Sequence, residues 1–263
     1  MKWVRFAVDG EARYGFVEGN EVIEVEGSPF GEYQKTGNTR PLEGLKYLIP
    51  FEPKQFYAAG LNYGGHAIAK ANAQGELPKL PTQADIGYRG NNSLIPHDAA
   101  ICIPHDASER VQYEGELVVV IGKQAKRVSQ ENALDYVVGY TIGNDVSERT
   151  WQKGDRTIWR GKNTDTFAPM GPFLVTDFDL GAAQTIVRVN GDEQLRFDTK
   201  DMLFGVREFI SRMSQYMTLY PGDMIWMGTD GKGENLGHGD VVEVEITGIG
   251  TLRNPVIREV APE

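Results

Sequence analysis

The amino-acid sequence predicts a mostly β protein of the α+β class. Apolar, β-branched segments bounded by turn residues recur roughly a dozen times, whereas helical periodicity occurs in only about three or four segments. Helices do not follow strands in regular alternation, so a doubly wound parallel sheet is not expected. These observations favour an architecture of mixed or rolled β-sheets with few helices.

The N-terminal region has the pattern of an antiparallel β-meander. The segments WVRFAV, ARYGFV and EVIEV are separated by an Asp-Gly turn at 9–10 and a Gly-Asn turn at 19–20, and Asp-Gly is a strong hairpin signal. Two prolines in the following segment LIPFEPKQF mark a boundary. We therefore expect a small N-terminal β-domain at residues 1–52 and a larger domain at 53–263.

The larger domain begins with a short strand, FYAAG, and a segment that is helical only in part. The run NYGGHAIAKANAQGELPKLP predicts a brief helix that ends at Gly75, in an irregular loop with Pro78 and Pro81. Loops of this length are often mobile covers over a site, although a plain surface excursion fits the composition equally well.

Two further helices and several strands are expected after this loop. Ser129 can cap a helix through QENALDY, and Thr199 can cap a longer one. The longer helix carries an apolar stripe with a spacing of three and four residues, formed by Met202, Val206, Phe209, Ile210, Met213 and Met217. The expected strands are GPFLVT, the hairpin TIVRVNGDEQLRF, DMIWMG and the alternating VVEVEITGIG.

Composition excludes several classes of function. The net charge of −10 argues against nucleic-acid binding, because phosphate recognition relies on clustered Lys and Arg. Cys102 is the single cysteine of the sequence, which rules out an intrachain disulfide and fits a reducing compartment. No apolar stretch is long enough to span a bilayer, and the N-terminus does not have the pattern of a signal peptide. We therefore expect a cytoplasmic protein without a membrane or nucleic-acid partner.

Three carboxylates in apolar surroundings are the strongest indication of chemistry. Glu114 and Glu116 lie in VQYEGELVVVIGK and Asp145 lies in GYTIGNDVSER, beside runs typical of buried strands. Strand side chains alternate, so the two glutamates project to one side, about 7 Å apart along the backbone. Buried carboxylates require protonation, a cation or a metal, and oxygen ligands favour Mg²⁺ or Mn²⁺ over Zn²⁺. The alternative is a solvated strand edge whose glutamates face water.

Other residues could complete such a site, although each also has an ordinary structural role. Lys162 could stabilise negative charge on a substrate oxygen, or it could be a surface charge. Arg149 and Gln152 could bind a substrate carboxylate, or form a loop salt bridge. Thr229, in the glycine-rich run MGTDGKGENLGHGD, could offer its hydroxyl, and His66 is the best candidate general base.

Several of these segments, taken in order, resemble the fumarylacetoacetate hydrolase family. They are GLNYGGHA, YEGELVVVIGK, GYTIGNDVSER, RGKNTDTFAPMGP, TKDMLF, TLYPGDMIWMGT and GDVVEVEITGIGTLRN, and together they cover about residues 55 to 257. The resemblance implies a mixed β-sandwich roll with a small N-terminal domain, usually as a homodimer. It also implies Mg²⁺ or Mn²⁺ held by the residues that match Glu114, Glu116 and Asp145.

The resemblance further implies roles for the remaining site residues. Lys162 and Thr229 would lie beside the substrate, and Arg149 and Gln152 near its far end. His66 would lie on the cover, and Tyr63, in the same GLNYGGHA run, would contact the substrate.

Three positions depart from the pattern of the family. Ala69 replaces a glutamate that is common three residues after the histidine, and Glu76 is a candidate replacement for it. Arg89 stands where a lysine is common, and the usual Gly-Thr-Pro reads Gly-Thr-Asp, ending at Asp230.

The family acts on small 2-oxo or 1,3-dicarbonyl acids next to a carbonyl. If His66 deprotonates a water that attacks the distal carbonyl, the C–C bond would break and its electron pair would be held as an enolate stabilised by the metal, which is hydrolysis. If no water is activated, loss of CO₂ or keto–enol proton transfer would use the same enolate. We rank hydrolysis of an acylpyruvate-like substrate first, with decarboxylation or isomerisation of a 2-oxo diacid such as oxaloacetate or a hydroxymuconate-type acid close behind. Binding of a small acid without turnover is a third reading.

Overall fold

The structure, a computed structural model, describes residues 1–262, apart from the side chains at positions 66, 67 and 70. The strands are β1 Lys2–Val8, β2 Glu11–Glu18, β3 Glu21–Gly27, β4 Tyr33–Pro41, β5 Phe56–Ala59, β6 Ile86–Arg89, β7 Leu94–Ile95, β8 Ile101–Ile103, β9 Val111–Gln112, β10 Gly115–Ile121, β11 Val137–Asn144, β12 Ser147–Glu148, β13 Ala168–Val175, β14 Gln184–Val189, β15 Asp192–Asp198, β16 Met224–Trp226, β17 Val241–Ile246 and β18 Gly250–Arg258. The α-helices are α1 Gly65–Gln74, α2 Arg149–Gly154, α3 Trp159–Asn163 and α4 Val206–Tyr216, and the 3₁₀ helices are Asn91–Ser93, Ala133–Tyr136 and Thr199–Asp201.

The predicted mostly β architecture is confirmed. Within residues 1–262, an eleven-stranded sheet has the order β4-β3-β2-β1-β13-β11-β10-β16-β5-β6, with β7 paired to β13. A five-stranded sheet, in the order β15-β14-β17-β18-β8, packs against it through the pairs β13 and β18, β10 and β14, and β11 and β17. Both antiparallel and parallel pairs occur, because β16 runs parallel to β5 and β18 runs parallel to β8. The result is a mixed β-sandwich.

The N-terminal meander is continuous with the large sheet. Its turn at positions 9–10 has the positive φ angles that a two-residue hairpin requires, 52° at Asp9 and 86° at Gly10. Strand β1 then pairs antiparallel with β13, where Val4 lies opposite Phe173. The proposed domain boundary after residue 52 stays a prediction.

Two helix predictions were wrong in type or position. The QENALDY segment forms one 3₁₀ turn, Ala133–Tyr136, because β11 begins directly after it and leaves no room for an α-helix. The helix expected from Thr199 begins only at Val206. Residues 199–201 form only a 3₁₀ turn, and Met202 forms a β-bridge with Tyr63 that keeps Met202 out of helical backbone. Helix α4 nevertheless buries much of the predicted apolar stripe, including Phe209 and Ile210.

Strand β10 lies at the centre of the sandwich and determines where the site forms. All seven of its residues are buried. A Cβ atom on Gly115 would lie 2.8 Å from Val187 Cγ2 and 2.9 Å from Val244 Cγ1, so the five-stranded sheet packs directly on the backbone here. This packing explains the glycine between the two glutamates, because residue 115 faces the second sheet and its neighbours face away from it.

Candidate active site

The three predicted carboxylates converge at one end of β10 and β11. Glu114 immediately precedes β10, and Asp145 immediately follows β11. Antiparallel pairing places Gly115 opposite Asn144, and the Asp145 N–H donates to the Glu114 carbonyl at 2.9 Å. One carboxylate oxygen from each of Glu114, Glu116 and Asp145 lies within 4.8 Å of the others. Strand register therefore brings together residues that are about thirty positions apart.

Three cationic side chains surround this cluster. Lys162, from α3, has a side chain only 4% exposed, and its Nζ lies 2.7 Å from Asp145 Oδ2 and also contacts Glu114 Oε2. Arg149 Nη2 lies 2.7 Å from Glu114 Oε1. Arg89 Nη2, from the end of β6, donates to Asp145 Oδ2 at 3.2 Å. Three carboxylates therefore face three cations, which makes burial of the cluster electrostatically tolerable.

The electrostatic environment differs between the carboxylates. Burial alone would raise the pKa of Asp145, but Arg89 and Lys162 outweigh it and hold that pKa below its usual range. The pKa of Glu116 is raised well above its usual range, first by burial and then by the negative charges of Asp145 and Glu114. Its Oε2 accepts the Gly228 N–H at 2.8 Å. Glu116 is thus the carboxylate of the cluster whose charge is least compensated.

These residues fit a divalent cation. Asp145 Oδ1 is buried and, among the described residues, has no hydrogen-bond partner, so a carboxylate oxygen remains available to a ligand. The raised pKa of Glu116 indicates that the cluster still favours additional positive charge. The cluster offers only carboxylate oxygens, which suits hard ions such as Mg²⁺ or Mn²⁺. The identity of the ion, and its binding here, stay predictions.

A cleft of about 290 Å³ opens above the carboxylates. Its lining residues come from several separate segments and are Ala59, Gly60, Leu61, Asn62, Arg89, Glu114, Glu116, Asp145, Gln152, Ile158, Lys162, Gly228 and Thr229. The cleft therefore contains the three acidic residues and the lysine together with two of the proposed substrate-binding residues, Gln152 and Thr229. Its size suits a small acid.

Arg149 is present at the site, but its guanidinium group is already engaged. Its Nη2 contacts Glu114, its Nε donates to Gln112 Oε1 at 2.8 Å, and its Nη1 donates to Gln152 Oε1 at 3.0 Å. In this arrangement Arg149 orients Glu114 and Gln152. Its proposed contact with a substrate carboxylate stays a prediction.

The remaining predicted residues lie around the start of α1. Tyr63 is buried, its ring packs edge-on against Phe197 at 4.9 Å, and burial together with nearby carboxylates raises its pKa. Thr229 lines the cleft. The side chain of His66 lies outside the described residues, so its role as a general base stays a prediction.

Sequence reasoning did not select two buried residues that shape the site. In the sequence Arg89 is only a departure from the family pattern, yet its side chain pairs with Asp145. Asn62 is 1% exposed; its Nδ2 donates to the Met227 carbonyl at 2.8 Å, and its Oδ1 accepts the Phe204 N–H at 3.0 Å. The sequence feature that could have identified Asn62 is its position in GLNYGGHA, where a polar residue lies between a predicted strand and a predicted helix.

Comparison with known proteins agrees with this fold. The domain described as "Fumarylacetoacetate (FAA) hydrolase C-terminal" matches residues 55–257, and the domain described as "Rv2993c-like, N-terminal" matches residues 1–50. The chain belongs to the fumarylacetoacetate hydrolase family.

Named relatives include enzymes with different reactions. The chain is 35% identical to 2,4-didehydro-3-deoxy-L-rhamnonate hydrolase of Sphingomonas sp. over 97% of its length and 95% of that protein. It is 35% identical to oxaloacetate tautomerase YisK of Bacillus subtilis over 79% of its length and 71% of that protein. The crystal structure of 5-carboxymethyl-2-hydroxymuconate delta-isomerase from Mycobacterium smegmatis superposes with a TM-score of 0.89 at 35% identity, covering 98% of this chain and 100% of that one. Hydrolases, tautomerases and isomerases thus share this fold.

None of the described helices combines the length and the apolar character needed to cross a membrane.

Proposed function

We propose that the protein is a divalent-metal-dependent enzyme that acts at the carbon next to a carbonyl in a small 2-oxo or 1,3-dicarbonyl acid. The observation that carries this proposal is the set of three convergent carboxylates on the floor of a small cleft, where Asp145 Oδ1 has no hydrogen-bond partner among the described residues. A bound Mg²⁺ or Mn²⁺ would supply Lewis acidity toward the carbonyl and carboxylate oxygens of such a substrate.

The chain's own residues would stabilise the charge that develops in the reaction. Lys162 is fixed by two carboxylates and lines the cleft, so its ammonium group is already oriented before a substrate binds. A preoriented cation stabilises an enolate oxygen more effectively than a group that must reorient during the reaction. Arg89 and Arg149 hold Asp145 and Glu114 in place, and the Gly228 N–H holds Glu116.

Isomerisation or tautomerisation is the reaction that the described residues support best. Helix α1 contains no acidic residue. The candidate replacement, Glu76, is exposed and follows the C-cap Gly75, ten positions after His66, which corresponds to about 15 Å along a helix axis. No carboxylate on α1 is therefore available to help activate water. Keto–enol exchange needs only transfer of one proton between the enol oxygen and the adjacent carbon, without a water nucleophile.

Hydrolysis is the second candidate. It is supported by the similarity to 2,4-didehydro-3-deoxy-L-rhamnonate hydrolase along nearly the whole of both chains. Decarboxylation of a 2-oxo diacid would use the same stabilised enolate. We also propose a cytoplasmic location and the domain division after residue 52, as the sequence predicts, and a homodimer, as the family resemblance implies.

Incubation of the pure protein and Mg²⁺ with oxaloacetate, an acylpyruvate and a hydroxymuconate-type acid would separate these reactions. Enol absorbance measures tautomerisation, and NMR of the products detects new acids or CO₂ loss. We expect faster keto–enol exchange with no new acid, lost in the Glu116→Gln variant. Release of two acids would favour hydrolysis. Binding of these acids without conversion over hours would refute enzymatic activity on this class of substrate.

A further inference from the structure

Helix α1 begins beside the cleft without a capping group of its own. Its N-cap residue is Gly64, which has no side chain to accept a hydrogen bond, and its first turn contains no acidic residue. The first turn is nevertheless formed, because the Ile68 N–H donates to the Gly64 carbonyl at 2.9 Å. The start of an α-helix has unpaired N–H groups and partial positive charge, and both favour a nearby carboxylate.

The Asp230 carboxylate occupies this position from outside the helix. A Cβ atom on Gly65, the first residue of α1, would lie 2.3 Å from Asp230 Oδ2 and 3.0 Å from Asp230 Oδ1. The carboxylate therefore fills the space where a side chain at position 65 would be. Asp230 Oδ1 also accepts the Gly231 N–H at 2.7 Å, which fixes the carboxylate within its own loop.

The loop that carries Asp230 is tied directly to the carboxylate cluster. Two residues earlier, the Gly228 N–H donates to Glu116 Oε2 at 2.8 Å, and Thr229 between them lines the cleft. On the other side, Asn62 anchors the chain just before α1 to the Met227 carbonyl at 2.8 Å. The start of α1 is thus connected to the site through residues 227–231.

We propose that Asp230 is a positioning residue that caps α1 from the neighbouring loop and thereby fixes the start of the helix that carries His66. The capping follows from the geometry of α1 alone, and its catalytic consequence rests on the function proposed above.

Hydrogen exchange of peptides that cover residues 61–75 tests the cap without a substrate or a metal. We expect Asp230→Ala to increase exchange at the start of α1 by about five- to tenfold, the usual effect of removing a capping side chain. Asp230→Asn should stay close to the wild type, because asparagine caps helices nearly as well. Asp201→Ala, which removes another carboxylate near Tyr63, is the matched control and should leave α1 unchanged. Equal exchange in the wild type and Asp230→Ala would overturn the proposal.

A double-mutant cycle with Gly65→Ala provides a second test, in which the sign of the effect matters. Alanine is the better helix former, so Gly65→Ala should slow exchange wherever its Cβ has room. With Asp230 present the Cβ meets the carboxylate, and exchange should become faster; in the Asp230→Ala background it should become slower. The same sign in both backgrounds would contradict the contact.

Steady-state kinetics test the positioning role. Asp230→Ala should lower kcat with unchanged Mn²⁺ affinity, and Asp230→Asn should restore most of it. An unchanged kcat in Asp230→Ala would overturn positioning. If the exchange results hold while the wild type converts none of the acids above, the proposed function fails and the cap stands.

Discussion

Replacement of Glu116 by glutamine should separate metal binding from folding more clearly than any other change at this site. Glutamine has nearly the same shape and can still accept the Gly228 N–H, which Glu116 Oε2 accepts at 2.8 Å. It has no charge, so it cannot complete a set of three anionic ligands. We expect the variant to fold, and to lose affinity for divalent ions together with activity.

The size of the metal effect follows from linkage between binding and folding. A cation at one hundred times its Kd stabilises the folded state by about 2.7 kcal/mol if it binds only that state. For a protein of this size each kcal/mol shifts Tm by roughly 2 to 4 °C, which gives an expected increase of about 5 to 10 °C. The wild type should show this increase when EDTA is replaced by Mg²⁺ or Mn²⁺, and Glu116→Gln should show almost none.

Without metal, the effect of Glu116 on folding stability should reverse, and the wild type should lose stability relative to Glu116→Gln as the pH rises. Burial and the charges of Asp145 and Glu114 raise the pKa of Glu116 well above its ordinary value of 4.5. A carboxyl group whose pKa is raised by folding contributes stability that is fully present below the ordinary value and is lost as the pH rises toward the folded pKa. In EDTA the wild type should therefore lose stability above about pH 5 relative to Glu116→Gln, which does not titrate at this position.

Differential scanning fluorimetry from pH 5 to 8, in EDTA and in Mn²⁺, measures both effects in one experiment. Isothermal titration with Mn²⁺ gives the affinities independently. A metal-induced increase in Tm that is the same in Glu116→Gln and in the wild type would refute the proposed ligand set. A stability difference between the metal-free wild type and Glu116→Gln that does not change from pH 5 to 8 would refute the electrostatic reasoning.

Three further substitutions test the cation at the cluster, the packing beneath it and the anchor before α1. Lys162→Met should lower kcat by about 10² to 10³, as removal of a charge-stabilising donor usually does. It should also tighten Mn²⁺ binding, because Glu114 and Asp145 lose a competing cation. Lys153→Met, at an exposed site, is the control, and weaker Mn²⁺ binding in Lys162→Met than in this control would contradict the expectation. Gly115→Ala should destabilise the protein by about 1 to 3 kcal/mol in urea denaturation, because its Cβ would lie 2.8 Å from Val187 Cγ2. Gly154→Ala, with no atom within 4 Å of the added Cβ, is its control, and similar unfolding free energies for the two variants would argue against direct packing of the sheets. Asn62→Ala should cost about 1 to 3 kcal/mol, because it leaves the Met227 carbonyl and the Phe204 N–H without their buried partner, and a change below the error of the same measurement would show that this anchor is dispensable.

The convergence of Glu114, Glu116 and Asp145 could be anticipated from sequence because two simple rules fix it. Side chains two apart in a strand share a face, and adjacent antiparallel strands bring their opposite ends together. Lys162 could be anticipated less directly, because its contact depends on a short helix that begins after Ile158, a residue with a φ angle of 51°. Sequence patterns do not reveal such a local conformation for a β-branched residue.

Other features depend on contacts between distant segments, which periodicity does not encode. The helix expected from Thr199 was displaced because Met202 pairs with Tyr63, about 140 residues earlier in the chain. Arg89 at the end of β6 meets Asp145 after β11, although three strands of the large sheet lie between β6 and β11, and Asp230 lies directly against Gly65. In each case the local sequence permits several conformations, and the tertiary partner selects one.

The pairing of β1 with β13 has a consequence for any attempt to dissect the chain. If the meander were removed, β13 would become an unprotected edge strand with unpaired N–H and C=O groups along Phe173–Val175. Such an edge readily recruits a strand from another molecule. The shortened protein should therefore aggregate, because in the full chain the meander covers this edge and prevents intermolecular β-pairing.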